Sequence, residues 1–264
     1  MGYCTMSSNT INSSNRSILF FDIEGNGLLY DLSEIHCIVA YDPQKQKYLV
    51  YHSDDYYQKV TRPNNCIYYP EISMLLRDFK DKYTLVAHNL FGYDRLALEK
   101  MYGYTHPIDD CIDTFVMSSV QYPDREAHSI QYYGDLFRMP KGDHNDFSKF
   151  SQEMLDYCIQ DVNILKRTYE YLLEEQEGWD WKQSMMIENR IADIMARQEL
   201  HGVLFNVEKA EELVTKIDEE VREIETSALA EIPKRAVMVG AEIKKPFLKT
   251  GGYTKQVESW INTL

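Results

Sequence analysis

The sequence has no apolar run approaching the roughly 18 residues that a membrane-spanning helix needs, and so no membrane partner is expected. It also has no C-x-x-C pair. Its five cysteines (Cys4, Cys37, Cys66, Cys111 and Cys158) are scattered and odd in number, which excludes a zinc knuckle built on such pairs and argues against a disulfide framework. The N-terminal MGYCTMSSNTINSSNRS lacks both a basic n-region and an apolar h-region. Residues 1–16 therefore read as a flexible polar leader rather than a signal peptide. Its Met-Gly start is a poor myristoylation match, because Met6 stands where Ser or Thr is required. No internal repeat is found. These absences point to a soluble chain in a reducing cytoplasm.

Basic residues are scarce: 28 Lys and Arg stand against 42 Asp and Glu, a net charge of −14, whereas a nucleic-acid-binding domain usually shows a basic footprint. The charge is uneven, however. Residues 232–264 carry six Lys or Arg and two Glu, so a basic tail of +4 follows an acidic body of −18. That distribution suits a metal-dependent enzyme whose strand-gripping surface lies at one end or comes from a partner. With 264 residues and 44% hydrophobic content, one large domain plus an appendage can be built.

Residues 17–24, 33–42 and 47–51 read as strands, the last two joined by a turn at Asp42-Pro43-Gln44 in an antiparallel meander. Residues 52–70 are polar, rich in Tyr and carry two prolines, which suggests a loop. Helical spacing follows over 71–80, then a strand at 84–88 and a helix capped by Gly103. Residues 111–119 read as a strand running into a helix, and 128–138 as a short helix ahead of a loop. Residues 150–175 form a strong helix with Ser151 as N-cap. The expected class is α/β: an RNase H-like mixed sheet flanked by helices over 17–178, followed by a helical extension over 179–264. Helices at 181–202 and 207–232 and a last one at 254–263 make up that extension. The apolar stripe Leu213, Ile217, Val221 and Ile224 is a core or partner-helix face.

Chemistry concentrates in three acidic stretches. In ILFFDIEGNGLL, a buried strand ends in Asp22 and Glu24, whose alternate spacing puts both carboxylates on one face. Two such charges at the end of a buried strand are costly without a counter-charge, and divalent ions supply it. The Gly25-Asn26-Gly27 turn bends the backbone away and leaves them open. Asp94 lies in a first helical turn, where the helix dipole alone could account for it, without excluding a metal. Tyr157 and Asp161 stand one turn apart on a helix, either a structural pair or part of a site. His128 and His144 are open to both ligand and structural readings.

Taken together, FDIEGNGL, HNLFGYDRLAL and YCIQDV resemble, in order and spacing, the three motifs of DEDD-superfamily 3′–5′ proofreading exonucleases in their Tyr-bearing branch. The stretches CIDTFVMSS, HSIQYYGDLFRMPKG and ENRIADIMARQELHGVLFN extend the likeness to family A DNA polymerases of short-tailed bacteriophages. It covers residues 17 to about 230, with 185–230 resembling the passage into a polymerase thumb. No palm or fingers follow, which implies a shortened chain or the exonuclease half of a polymerase divided between two polypeptides.

The resemblance implies a hydrolase that shortens DNA 3′ ends with two divalent ions, Mg²⁺ or Mn²⁺. Asp22 would bridge both ions, Glu24 and Asp161 would hold the first, and Asp94 would support the second through water. Tyr157 would orient the attacking water, since a phenol of pKa about 10 is a poor base at neutral pH. The expected partners are a single-stranded or frayed DNA 3′ end and a separate polymerase polypeptide, in the cytoplasm of an infected bacterium. Leu28, Leu29 and Phe91 are candidates to stack on bases, with core packing as the other reading. Asn89 either contacts substrate or caps the helix. The rival readings are an RNase D-like RNA 3′-exonuclease and a non-catalytic scaffold of a replication complex.

Overall fold

The computed structural model describes residues 16–53, 60–176, 178, 180–232 and 246–262. The polar leader, apart from Arg16, and residues 233–245 and 263–264 of the basic tail fall outside them. Six strands form one mixed sheet: β1 (Ser17–Gly25), β2 (Ile35–Asp42), β3 (Lys47–His52), β4 (Cys66–Tyr68), β5 (Tyr83–Ala87) and β6 (Cys111–Asp113), in the order β4-β3-β2-β1-β5-β6. The meander is as expected, with β2 antiparallel to both β1 and β3. Its turn is fixed by Asp42, whose Oδ1 accepts from the backbone amides of Gln44 and Lys45, an Asx-type closure. One expectation fails here. Residues 66–68 are not loop but a short edge strand parallel to β3, a segment too brief to show a period of its own.

Between β4 and β5 runs α1 (Ile72–Lys82), which places Leu75, Leu76 and Phe79 in the core and returns the chain for the parallel pairing of β5 with β1. Next come α2 (Asp94–Tyr102), β6, α3 (Thr114–Gln121), α4 (Ile130–Leu136) and α5 (Gln152–Glu175). Strand alternation divides the core in two. Leu19, Phe21 and Ile23 join the α1 side with Phe79 and Leu98. Phe20 joins the opposite side, with Cys37, Val39 and the inner stripe of α5: Leu155, Cys158, Val162 and Leu165. Asp22 and Glu24 share the parity of Phe20, so they face α5. That parity is what brings the first and third acidic stretches to one place.

Backbone pairing of β1 with β5 ends at Phe20 and Val86, whereas pairing with β2 continues to Gly25. Past Phe20 the two central strands therefore part, and the carboxylates sit at the notch. Gly25, where the register with β2 shifts, has no room for a side chain. An added Cβ would lie 2.5 Å from Leu32 Cδ1 and 2.8 Å from the Glu34 carbonyl oxygen.

By backbone contacts the chain divides after Gly202. The first unit includes α6 (Lys182–His201), which lies beyond the boundary at 178 expected from the sequence. A buried ion pair between Arg95 and Asp193 ties α6 to α2, and Arg197 adds a contact to Glu99 at 2.6 Å. The second unit holds α7 (Val207–Glu231) and α8 (Lys255–Ile261); none of the residues of α7 is buried. No helix among the described residues is long and apolar enough to cross a membrane.

Candidate active site

Asp22 and Glu24 leave the end of β1 together, as their spacing requires. One carboxylate oxygen from each and the Cys158 sulfur all lie within 4.8 Å of one another. The thiol donates to Asp22, at 3.5 Å from its carbonyl oxygen and 3.6 Å from Oδ2. Burial pushes the Cys158 thiol well above its usual range, so it stays protonated and acts as a donor rather than a ligand. Asp161, one turn further along α5, lies near enough for its charge to act on Asp22, and Tyr157 precedes it by one turn.

Asp94 opens α2, buried to 3% exposure, and a preceding loop sets its position. Asn89 takes a left-handed φ of 64°, and Gly92 lies against its side chain so closely that a Cβ there would meet Asn89 Oδ1 at 2.2 Å. The amides of Asn89 and Phe91 both donate to the Asp113 carboxylate, at 2.9 and 3.1 Å. Asp113 also caps α3 through the Phe115 amide. From the other end, the Tyr93 hydroxyl donates to the Gly27 carbonyl at 2.8 Å, linking this loop to the turn after β1.

Electrostatics show how close these groups are to one another. Burial first, then Asp161, raises the Asp22 carboxyl to about 7. Glu24 rises to about 10, again from burial first and then from Asp22. Asp94 is raised well above the carboxylate range by burial, then by Asp22 and Asp113. Asp161 is raised by burial and held back by Lys141, whose Nζ is 2.9 Å from its Oδ2. The other oxygen, Oδ1, is buried without a hydrogen-bond partner. Four carboxylates sharing one ammonium, with one oxygen left unsatisfied, form an oxygen-rich donor set suited to hard divalent cations. The residues present therefore fit a Mg²⁺- or Mn²⁺-type centre.

Among the candidate substrate contacts, Leu28 is 77% exposed on the turn after β1, and Leu29 is half-buried against the core. Asn89 is exposed and does not cap α2, whose N-cap is Tyr93 with no side-chain bond. Phe91 is corrected: at 1% exposure it belongs to the α1-side core and has no face to offer a base. Phe91→Leu is accordingly expected to cost about 1–2 kcal/mol of stability and to leave the dissociation constant for single-stranded DNA unchanged. Urea unfolding and fluorescence anisotropy would check both.

Sequence reasoning missed Lys141, Tyr93, Asp113 and the donor role of Cys158. An N-cap pattern, Asp113-Thr114-Phe115 at a helix start, could have found Asp113. A lysine in an aperiodic loop gives no comparable signal. His128 accepts or donates against Ser118 Oγ at 2.6 Å, a structural contact, and His144 packs near Tyr157 with ring centroids 5.9 Å apart.

This sheet order, with carboxylates at the end of its central strand and a helix bearing Tyr157 and Asp161 laid across it, is an RNase H-like fold. Brucella melitensis NrnC with bound Mg²⁺ shares it at a TM-score of 0.52 and 15% identity, over 71% of this chain and 87% of that one. A structure of the apo form of a nuclease matches at a TM-score of 0.50 and 16% identity, over 70% of this chain and 86% of that one. No family model matches the chain. In sequence, the chain is similar to the DNA-directed DNA polymerases of Enterobacteria phage T3 and Escherichia phage T7, each 26% identical over 76% and 74% of this chain. It spans about a third of those relatives, 35% and 34% of their lengths. The resemblance read from the three motifs is thus met by phage polymerases in sequence and by nucleases in fold.

Proposed function

We propose that this chain is a metal-dependent 3′–5′ exonuclease that shortens DNA ends, the editing part of a polymerase whose synthetic region is not in this sequence. The observation that carries the reading is the convergence of Asp22, Glu24, Asp94 and Asp161 from three separate elements, with a buried Asp161 oxygen left unpartnered. Two divalent ions held by these residues would neutralise charge on the phosphorus and make water a nucleophile at neutral pH. NrnC, alike in fold, has been solved with Mg²⁺, which supports the metal. DNA rather than RNA is supported by the polymerases to which the sequence is similar.

The chain's own residues supply position. Burial, against an opposing pull from Lys141, raises the Tyr157 phenol above its usual value, so it keeps its proton at neutral pH and orients water or phosphate without taking a proton. Leu28, exposed on the turn beside Glu24, is placed to press against a base of a frayed end.

Incubation with 5′-labelled single-stranded DNA, and separately RNA, tests the reading. In Mg²⁺ or Mn²⁺, a ladder shortening from the 3′ end of DNA is expected, lost with EDTA and in the Asp22→Ala, Glu24→Ala double variant. Tyr157→Phe should retain a measurable remainder, slower by roughly 10²-fold. A preference for RNA would favour the RNase D-like reading. Absence of cleavage by folded protein, restored by adding a polymerase polypeptide, would place delivery of the strand in that partner; absence throughout would leave a scaffold.

A further inference from the structure

Lys141 lies on the connection between α4 and α5, and that connection is fastened on both sides. The Met139 amide donates to the Gly134 carbonyl at 2.8 Å, and Gln160 Nε2 donates to the Pro140 carbonyl at 3.2 Å. Gly134 permits the close approach, since a Cβ there would meet the Met139 oxygen at 2.8 Å. Gly142 lies against the Tyr157 ring, its Cβ position 3.4 Å from Cδ2. The backbone thus presents Lys141 to α5 rather than to solvent, and the side chain is partly buried.

There the ammonium does two things at once. It sits 2.9 Å from Asp161 Oδ2 and 4.8 Å from the centre of the Tyr157 ring. Among the described residues this is the one ion pair that any of the four carboxylates makes. Oδ2 is thereby engaged while Oδ1 stays free.

We propose that Lys141 is a positioning residue of the cleavage reaction, one that locks Asp161 and Tyr157 into a single arrangement and holds down the affinity of the carboxylates for divalent ions. The inference rests on the exonuclease reading above but adds a residue and a role to it. A fixed positive charge beside Asp161 competes with a cation for the same carboxylates. Removing it should strengthen cation binding, yet release the carboxylate and phenol that the reaction needs held.

The test compares Lys141→Met and Lys141→Arg with the unaltered chain. Mn²⁺ binding is read by calorimetry, cleavage of a labelled strand by single-turnover kinetics, and folding by thermal midpoint. Lys141→Met is expected to cleave roughly 10- to 100-fold more slowly, the range for losing a hydrogen bond to a charged group, with KM unchanged. It should also bind Mn²⁺ roughly 3- to 10-fold more tightly. Lys141→Arg should recover most of the rate. Adding Tyr157→Phe to Lys141→Met should cost little beyond the larger single effect, because the two act as a unit.

A purely structural anchor would not tighten Mn²⁺ binding. Wild-type rate in the Met variant, Mn²⁺ binding no tighter, or a loss confined to KM would overturn the proposal, the last by putting the ammonium on the strand instead. No cleavage by the unaltered chain would count against the exonuclease reading by itself, and the Mn²⁺ comparison would then decide the proposal alone.

Discussion

Asp22→Asn is expected to slow strand cleavage by roughly 10⁴-fold, the scale seen when one member of a catalytic set is removed, while making the metal-free protein more stable. The two effects have opposite signs because Asp22 sits at the electrostatic centre of the site. Its charge raises both Glu24 and Asp94, and its own carboxyl is lifted to about 7 by burial and Asp161. An amide of the same shape keeps the packing and removes that repulsion. In EDTA at pH 8 the thermal midpoint should rise by about 3–8 °C, given that 1 kcal/mol moves a domain of this size by about 2–4 °C. Single-turnover rates and differential scanning calorimetry would read the pair. A variant that cleaves normally would remove Asp22 from the chemistry, and one that melts lower would make it a structural residue.

The second large effect is on stability against pH, and it reverses when metal is added. A carboxyl that holds its proton more tightly folded than unfolded stabilises the fold fully below its unfolded pKa of about 4. That contribution is lost as pH rises through the folded values, about 7 for Asp22 and about 10 for Glu24. The metal-free protein should therefore lose stability steadily from about pH 5 to pH 9, by a few kcal/mol in all. This is the reverse of a salt-bridged carboxylate, which loses stability in acid. Millimolar Mg²⁺ or Mn²⁺ should restore the midpoint at pH 8 and do little at pH 5, where protonated carboxyls bind cations poorly. Thermal melts across pH, with and without Mn²⁺, would measure both slopes. A metal-free midpoint that climbs from pH 5 to pH 9 would contradict the raised carboxyls.

Much of this site was legible before the fold. Alternation placed Asp22 and Glu24 on one face, and helical spacing placed Tyr157 one turn from Asp161; both are local consequences of backbone geometry. That the two faces meet follows from Phe20 and Cys158 sharing a core, which the apolar pattern of each element allows but cannot pair. The sequence leaves Phe91 open between base and core because a loop phenylalanine beside an acidic motif looks the same whether it points to solvent or inward. Its burial comes from the Asp113 carboxylate, which draws in the amides on either side of Leu90. Lys141 was invisible for a related reason: its position is set by the contacts of Gly134, Gly142 and Gln160, none of them periodic. Strand β4 escaped notice because three residues carry no alternation to read.

The parting of β1 from β5 beyond Phe20 has a consequence for selectivity. Where two strands part, the spacing of their main chains is set by the ladder hydrogen bonds below, and side-chain substitutions can hardly widen it. If the chain cleaves strands as proposed, discrimination between ends would then fall to side chains near these carboxylates, with the exposed Leu28 after β1 and Lys141 beside Asp161 as the candidates. On that reading, substitutions at Leu28 should change which ends are cleaved, while the main-chain positions of Asp22 and Glu24 stay as they are.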